Sequence, residues 1–312
     1  MKRIIISILA FAIVLVGCSQ NKIDKDNQLS ITQDTIVNPQ KANISNEQLA
    51  KNIADSIKSD FELKQTESNL KALEIVASTN KVIDKINSNQ TKEARAEMTK
   101  LIGELEILLT KNQNVSLVPL TTGYQVNESV VDVETAKQII ADAKKSMKKG
   151  YYQSAKELLD ALTSEYVITT TYLPVGTYPD AMKLASAKLD ENKTKEAKDI
   201  LVNALNTLVI DEVKIPLPVL KAEEYVSLAA VEMAGSNKDK KKISEILLDN
   251  ADYQLKLAEV MGYGKKDKDF KMLADSIKDL KKAIEKDSET KTMFKNLGDK
   301  LKSFKERLFY KK

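Results

Sequence analysis

The sequence contains no histidine, no tryptophan and a single cysteine, Cys18. Without histidine, the chain cannot form the Ser-His-Asp or Cys-His arrangements of nucleophilic catalysis. Zinc sites built from histidine and cysteine are excluded for the same reason, and one cysteine cannot form an internal disulfide. Only carboxylates, lysines, tyrosines and hydroxyl groups remain for chemistry, so we expect no cofactor and no bound metal.

Proline and glycine are also rare, with six and nine copies, and neither occurs between Pro39 and Gly103. Both residues interrupt helices, so this stretch is predicted to be helical. Ser45 and Gln48 have the spacing of a capping box, which places a helix start there. Apolar residues then recur at helical spacing, with a break predicted near Ser59-Asp60: Leu49, Ile53 and Ile57 come first, and Leu70, Leu73 and Val76 follow.

The N-terminus has the order of features of a secretory signal peptide. Lys2 and Arg3 precede thirteen apolar or small residues, Ile4 to Val16. This run is shorter than the about 20 residues that a transmembrane helix needs. It ends at Leu15-Val16-Gly17-Cys18, which resembles a bacterial lipobox. We therefore expect residues 1–17 to be removed and Cys18 to carry acyl chains such as palmitate; the alternative is an uncleaved anchor with an unmodified thiol.

Residues 18–44 are predicted to form a flexible tether, because they are rich in polar residues and show no apolar periodicity. Ser19, and not aspartate, follows the cysteine, which resembles the outer-membrane sorting pattern of enteric bacteria. We thus expect a periplasmic protein held at the outer membrane through its N-terminal lipid. The net charge is only +4 and the charges alternate in sign, so nucleic acid is not expected as a partner.

A short pattern occurs three times, at Asn89–Met98, Gly150–Leu159 and Asn192–Leu201. Each copy begins with asparagine or glycine, which tolerate the left-handed conformation at a helix end. Each copy contains an alanine (Ala94, Ala155 or Ala197) and ends on an apolar residue four positions after it (Met98, Leu159 or Leu201). Another apolar residue (Ile86, Met147 or Leu189) lies eight positions before the alanine, just ahead of each copy. The pattern predicts three helical hairpins in which the alanine lets two helix backbones approach closely.

An extended, β-branched segment with a proline follows each hairpin. The segments are VSLVPL, YVITTTYLP and VIDEVKIPLP, with Pro119, Pro174 and Pro216. Valine, isoleucine, threonine and tyrosine favour strands, and proline ends a strand or confines it to a sheet edge. We predict that two or three of these segments pair into a small sheet packed on the helices. Thr177 or Asp180 is predicted to cap the next helix.

The last third of the chain is predicted to be a helical hairpin, with two amphipathic runs separated by Asp287-Ser288. Its apolar seams are suited to packing on the protein body or on a second subunit, so a homo-oligomer stays open. The predicted fold class is mainly α, with helical hairpins packed as a bundle and a small β-sheet. Along the chain, we assign residues 45–126 to an N-terminal helical part, 127–235 to a core and 236–312 to the C-terminal hairpin region.

Three stretches together resemble the YfdX family of bacterial exported proteins: VETAKQIIADAKKSMKKGYYQSAKELLDAL, VITTTYLPVGTYPDAMKLA and KEAKDILVNALNTLVIDEVKIPLPVLKAE. The resemblance covers Val130 to Val226. It implies a helical, secreted or periplasmic protein linked to stress responses, with no established catalytic activity and no agreed active site. The lipobox departs from the soluble periplasmic form of the family.

Function is therefore predicted as a membrane-tethered, non-enzymatic interaction or stress-response module with an unidentified periplasmic partner. The alternative is a small-molecule site at the crossover 169–180, where tyrosine rings offer stacking faces with polar tips. Its candidate contacts are Tyr151, Tyr152, Tyr172, Tyr178 and Asp180. A structural crossover needs the same prolines and glycine, so the segment has an architectural explanation as well.

A carboxylate-based cell-wall hydrolase is the remaining alternative. Glycan cleavage needs two carboxylates on either side of the scissile bond. Asp132 with Glu134, or Asp211 with Glu212, lie near turns or strands. Acidic residues are abundant throughout the chain, so such pairs arise by chance.

Overall fold

The computed structural model describes residues 38–63, 66–129, 132–264 and 267–310. The predicted signal peptide, the lipobox with Cys18 and most of the predicted tether lie outside the described residues. Within the described ranges there are eleven helices and three strands, which confirms the mainly α class with a minor β component. The helices are α1 (Asn46–Phe61), α2 (Glu67–Asn87), α3 (Thr91–Lys111), α4 (Val133–Lys148), α5 (Tyr152–Asp160), α6 (Tyr178–Asp190), α7 (Thr194–Asn206), α8 (Leu217–Ala234), α9 (Lys240–Met261), α10 (Lys268–Glu285) and α11 (Lys291–Phe309); the strands are β1 (Leu117–Asn127), β2 (Glu165–Pro174) and β3 (Val209–Pro216).

The three predicted hairpins are present as α2–α3, α4–α5 and α6–α7, and their turns share one geometry. Asn89, Gly150 and Asn192 adopt left-handed φ angles of 58°, 81° and 59°. The N–H of the following residue then bonds a carbonyl in the last helical turn; in the middle hairpin, Tyr151 N lies 2.9 Å from Ser146 O. This bond satisfies a carbonyl that the helix end leaves unpaired, so the repeated sequence encodes a repeated turn.

The middle hairpin differs from the other two in the exposure of its apolar residues. The alanine is buried in each hairpin, and in the first and third hairpins the flanking apolar residues are buried as well: Ile86, Met98, Leu189 and Leu201. In the middle hairpin, Met147 is 50% exposed and Leu159 is 45% exposed. Packing explains this difference, because α2 packs on α7 and α3 on α6, whereas α4 packs on α9.

All three proline-bearing segments form strands of one antiparallel sheet, in the order β1-β2-β3. β2 ends at Pro174 and β3 ends at Pro216, as predicted. Pro119 lies inside β1, which is an edge strand, next to a register shift between Pro119 and Thr121. A proline at a bulge on an edge removes no ladder bond that the sheet needs. Thr177 is the N-cap residue of α6, but its side chain makes no capping bond.

The described residues bury two hydrophobic cores. The first lies among α2, α3, α6 and α7 and takes Val118 from β1 and Leu173 from β2. The second joins α1 with the four helices α8 to α11 and takes Tyr166 and Ile168 from β2. Successive side chains of a strand point to opposite faces, so β2 contributes to one core from each face. The central strand therefore connects the hairpin repeats to the rest of the fold.

Two details of the N-terminal helices correct the sequence predictions. The break lies between the end of α1 at Phe61 and the start of α2 at Glu67, a few residues after Ser59-Asp60. Leu70 and Leu73, predicted on the apolar face of α2, are 46% and 37% exposed. The buried face is formed instead by small or polar residues among a few aliphatic ones: Ala72, Ile75, Ser78, Thr79, Val82 and Ile86. The spacing predicted a helix correctly, but the larger leucines indicated the wrong face.

The C-terminal hairpin packs on its own chain. α10 ends at a turn in which Asp287 has a φ of 53°, the geometry of the three repeat turns. Its apolar seam and that of α11 are buried in the second core: Leu273, Ile277, Leu280 and Ile284 on α10, and Phe294, Leu297, Leu301 and Phe304 on α11. These seams are therefore not free for a second subunit.

Candidate ligand-binding groove

The five residues of the predicted tyrosine site lie in different settings. Tyr178 is fully buried in the first core, and burial raises the pKa of its hydroxyl to about 12. Tyr151 and Tyr152 lie at the tip of the middle hairpin and are 62% and 69% exposed. Tyr172 is half-buried in β2, and Asp180 is exposed in the first turn of α6. Tyr178 thus offers no surface to a ligand, while contact through the other four residues stays a prediction.

A groove of about 830 Å³ lies elsewhere, between α8 and α11. Val226, Ala230 and Met233 of α8 and Phe294 of α11 give it an apolar lining. Gly298 of α11 also lines it, and a Cβ at this glycine would meet open space. Small-molecule sites are usually concave and mostly apolar with a few polar groups, and have volumes of roughly 300–1,000 Å³. The groove has this size and character.

Lys305 holds the helices that border the groove. Its side chain is only 3% exposed, and its Nζ lies 2.7 Å from Glu223 Oε2 and 3.9 Å from Asp60 Oδ2. The ammonium also lies 5.9 Å from the centre of the Tyr310 ring, within the range of a cation–π contact. These contacts join α11 to α8 and α1. They also neutralise Glu223, one of the two adjacent glutamates that line the groove.

Glu224, the second glutamate, has a different environment. Its Oε1 accepts a hydrogen bond of 2.7 Å from Asn52 Nδ2, and within the described ranges it has no cation at ion-pair distance. Burial raises the pKa of the Glu224 carboxyl above its ordinary value, and the neighbouring Glu223 raises it further, against the lowering effect of the Asn52 bond. A half-buried carboxylate without a cationic partner is stabilised by a positively charged ligand group.

The rim of the groove carries charges of both signs. Lys295 is paired with Asp299 at 2.9 Å. Lys291 and Lys302 also line the groove and form no ion pair within the part of the chain that the structure describes. The exposed Glu289 lines the groove as well and likewise forms no ion pair there. The groove therefore combines an apolar lining with two carboxylates and two ammonium groups that form no ion pair in the described ranges, and of the two carboxylates only Glu224 is half-buried. It is suited to a small molecule that has an apolar body and a cationic group.

The carboxylate pairs considered for hydrolysis are placed as structural groups. Asp132 is the N-cap of α4, and its Oδ1 accepts from Thr135 N at 2.6 Å. The hydrogen bonds from Thr135 lower the pKa of Asp132, which is the wrong direction for a general acid. Asp211 and Glu212 are consecutive in β3, so their side chains point to opposite faces of the sheet. Side chains on opposite faces cannot act together on one substrate bond.

The described residues provide neither a metal-binding cluster nor a membrane-spanning helix. In these ranges no group of three or more Asp, Glu, His or Cys side chains has the geometry to hold a metal ion. None of the helices there is both long and apolar enough to cross a bilayer.

Repeated helical hairpins around a three-stranded antiparallel sheet define the class of this protein. The family described as YfdX protein matches residues 75–214, from α2 into β3, which confirms the resemblance seen in the sequence. A solved structure of Salmonella Typhi YfdX is similar, with 16% identity and a TM-score of 0.31; the alignment covers 47% of this chain and 91% of that one. None of the curated proteins matches the chain significantly.

Sequence reasoning did not identify the groove, which lies on helices outside the matched region. One signal was present in the sequence. Glu223 and Glu224 are adjacent carboxylates within α8, a helix whose other residues are mostly apolar. Two adjacent carboxylates in such a helix indicate a partner or a ligand for at least one of them. Lys305 could not be recognised as the partner of Glu223, because it lies 82 residues further along the chain.

Proposed function

We propose that this YfdX-type protein is an exported lipoprotein whose role is to bind a partner or ligand rather than to catalyse a reaction. The order of Lys2 and Arg3, the apolar run and Gly17-Cys18 carries the proposal, because this order is typical of a lipidated signal peptide. The absence of histidine and the capping role of Asp132 support a function without catalysis. In this proposal Cys18 is acylated, and the folded part lies in the periplasm at the outer membrane.

The anchor is tested by mass spectrometry of the native protein. The expected result is a chain that begins at Cys18 with the added mass of acyl groups. A Cys18→Ser variant should leave the membrane fraction, and a Ser19→Asp variant should keep its lipid but move to the inner membrane. An unmodified N-terminus at Met1, or membrane binding that survives Cys18→Ser, would contradict the lipoprotein proposal.

The groove between α8 and α11 favours a second function, the binding of a small molecule with an apolar body and a cationic group. Glu224 carries this proposal, because it is a half-buried carboxylate without a cationic partner in the described ranges. A bound cation would supply that partner, and the apolar group would cover Val226 and Phe294. The ligand must bind the ionised carboxylate, so affinity should fall as pH is lowered toward the raised pKa of Glu224.

Two glycine variants form a matched test of this site. Gly298 and Gly103 both lie in helices and both have open space at the Cβ position, but only Gly298 lines the groove. Calorimetry with cationic amphiphiles such as alkyl-ammonium compounds should show binding to the wild type and to Gly103→Leu. Gly298→Leu and Glu224→Gln should each weaken it about tenfold or more, the equivalent of about 1.4 kcal/mol. Equal affinities for all four proteins would exclude the groove.

A further inference from the structure

The first and third hairpins pack against one another in an arrangement that resembles a twofold symmetry. The first helix of each packs on the second helix of the other, α2 on α7 and α6 on α3. Thr79 and Met182 occupy equivalent positions, each fifteen residues before the alanine of its repeat, and Thr79 Oγ1 lies 3.9 Å from Met182 Sδ. Contact between equivalent positions is characteristic of a twofold relation. One copy of the motif can thus bury the apolar residues of another copy.

The contacts between the first and third hairpins extend to the hairpin tips. Arg95, one residue after the alanine of the first repeat, donates from Nη2 to Leu189 O at 2.6 Å and to Asn192 Oδ1 at 2.8 Å. It therefore caps the end of α6 in the third hairpin. The four apolar residues that flank the repeat alanines in these two hairpins are all buried.

Within the described ranges, no second hairpin packs on the tip of the middle hairpin in this way. α9 packs along the first part of α4, where Tyr253 Oη accepts from Val133 N at 3.1 Å and Ala136 is buried. Beyond this contact, four large side chains at the tip are exposed: Met147, Tyr151, Tyr152 and Leu159. Among three repeats, two pair with each other and one is left over.

Charges on the uncovered hairpin are opposite on its two helices. The end of α4 and the turn carry four lysines without an acidic residue among them: Lys144, Lys145, Lys148 and Lys149. α5 carries Glu157 and Asp160 against a single Lys156. In the crossed arrangement of the other two hairpins, a first helix lies against a second helix. The same arrangement between two middle hairpins would place the basic end of α4 near the acidic α5.

We propose that the tip of the middle hairpin, defined by Met147, Tyr151, Tyr152 and Leu159, is a self-association surface that binds the same tip of a second copy of this chain. The interface is isologous, so it closes at a dimer. Its small size predicts a dissociation constant in the micromolar range, roughly 10 μM. The surface is separate from the groove and does not depend on lipidation.

Analytical ultracentrifugation of the mature chain with Cys18→Ser tests the proposal. This variant cannot be acylated and is otherwise unchanged. The parent protein should shift from monomer to dimer with rising concentration. Tyr152→Glu and Leu159→Glu should each weaken the dimer about tenfold or more, because each places a charge in an apolar contact. Val231→Glu is the matched control, since Val231 is 69% exposed and lies on α8 rather than on the middle hairpin, and it should dimerise like the parent. Circular dichroism confirms that each variant is folded.

Cross-linking provides a second measurement, because Cys18 is the only cysteine of the chain. In the Cys18→Ser background, Tyr152→Cys should form dimers with a short bis-maleimide reagent, whereas Val231→Cys should not. A parent protein that stays monomeric, or a dimer that persists in both tip variants, would overturn the proposal. So would a monomer whose tip binds anionic vesicles instead, in a manner that Tyr152→Glu abolishes.

Discussion

Tyr178 and Thr79 share a hydrogen bond of 2.8 Å at the centre of the core between the first and third hairpins. The Thr79 hydroxyl also donates to Ile75 O at 2.9 Å, so the Tyr178 hydroxyl is the donor in the pair. Both side chains are fully buried. A tyrosine at the start of α6 thus finds its only polar partner in the described residues on α2, and the bond fixes the relative positions of the two hairpins.

Removing the hydroxyl of Tyr178 should destabilise the fold modestly. In Tyr178→Phe the ring still fills its place, and Thr79 keeps its bond to Ile75. We expect a loss of about 1 kcal/mol in the free energy of unfolding. Tyr178→Ala should cost about 3–5 kcal/mol, because it leaves a cavity in the core. Urea denaturation monitored by circular dichroism measures both, and equal losses for the two variants would contradict the packing.

Alkaline pH should unfold the protein through its buried tyrosines. The pKa values of Tyr178 and Tyr263 are raised from 10.0 to about 12, mainly by burial. A raised pKa means that the stabilisation is complete below pH 10 and is lost as pH rises toward 12. In this interval each of the two tyrosines ionises in the unfolded state but not in the folded state. The free energy of unfolding should therefore fall by about 1.4 kcal/mol per pH unit for each tyrosine. Tyr178→Phe should reduce the slope of the stability curve by that amount, and an unchanged slope would contradict the assignment.

Removing one partner of the ion pair between Lys305 and Glu223 should destabilise the fold more than removing both partners. Lys305→Met leaves Glu223 without its partner, and we expect a loss of about 2–4 kcal/mol. The double variant Lys305→Met/Glu223→Gln should recover part of this loss, because no uncompensated charge remains. The exposed pair of Lys295 and Asp299 is the control, and Lys295→Met should change stability by less than about 0.5 kcal/mol. Thermal unfolding of the four proteins measures the coupling.

Glycine replacements should have opposite effects at two positions. Gly298 lies inside α11 with open space around it, so Gly298→Ala should stabilise the protein by about 1 kcal/mol. Gly150 has a φ of 81°, so an alanine there should destabilise the turn by about 1 kcal/mol. Gly150→Asn should be better tolerated than Gly150→Ala, because asparagine occupies the same turn position in the other two hairpins. Chemical denaturation of the three variants tests the order.

Local patterns made the repeats and the sheet predictable. Asn89, Gly150 and Asn192 indicated the turns because only a few residue types adopt a left-handed φ, and the prolines limited the strands because proline lacks an N–H. The buried face of α2 was not predictable in the same way. The burial of this face depends on residues far along the chain, because α7 and β1 pack on α2 and Thr79 contacts Tyr178 of α6.

The groove illustrates the same limit. Glu224 and Asn52 are 172 positions apart in the sequence, and no local pattern relates them. Residue type alone also made the tyrosine-rich crossover look like the more attractive site. One of the tyrosines expected to contact a ligand, Tyr178, lies instead in the first core, because α6 begins against α2 and the Tyr178 side chain faces that helix.

The long-range bonds of the N-terminal segment set the order in which the fold can be completed. Asn250 Nδ2 donates to Gln40 O at 2.9 Å, and Glu224 accepts from Asn52, so α1 has no docking surface until α8 and α9 are in place. The first core needs no residue beyond Ala204 and can close earlier. A chain truncated after β3 would therefore carry a finished half and an undocked apolar helix. Such a helix exposes apolar surface, which makes an incomplete chain prone to aggregation.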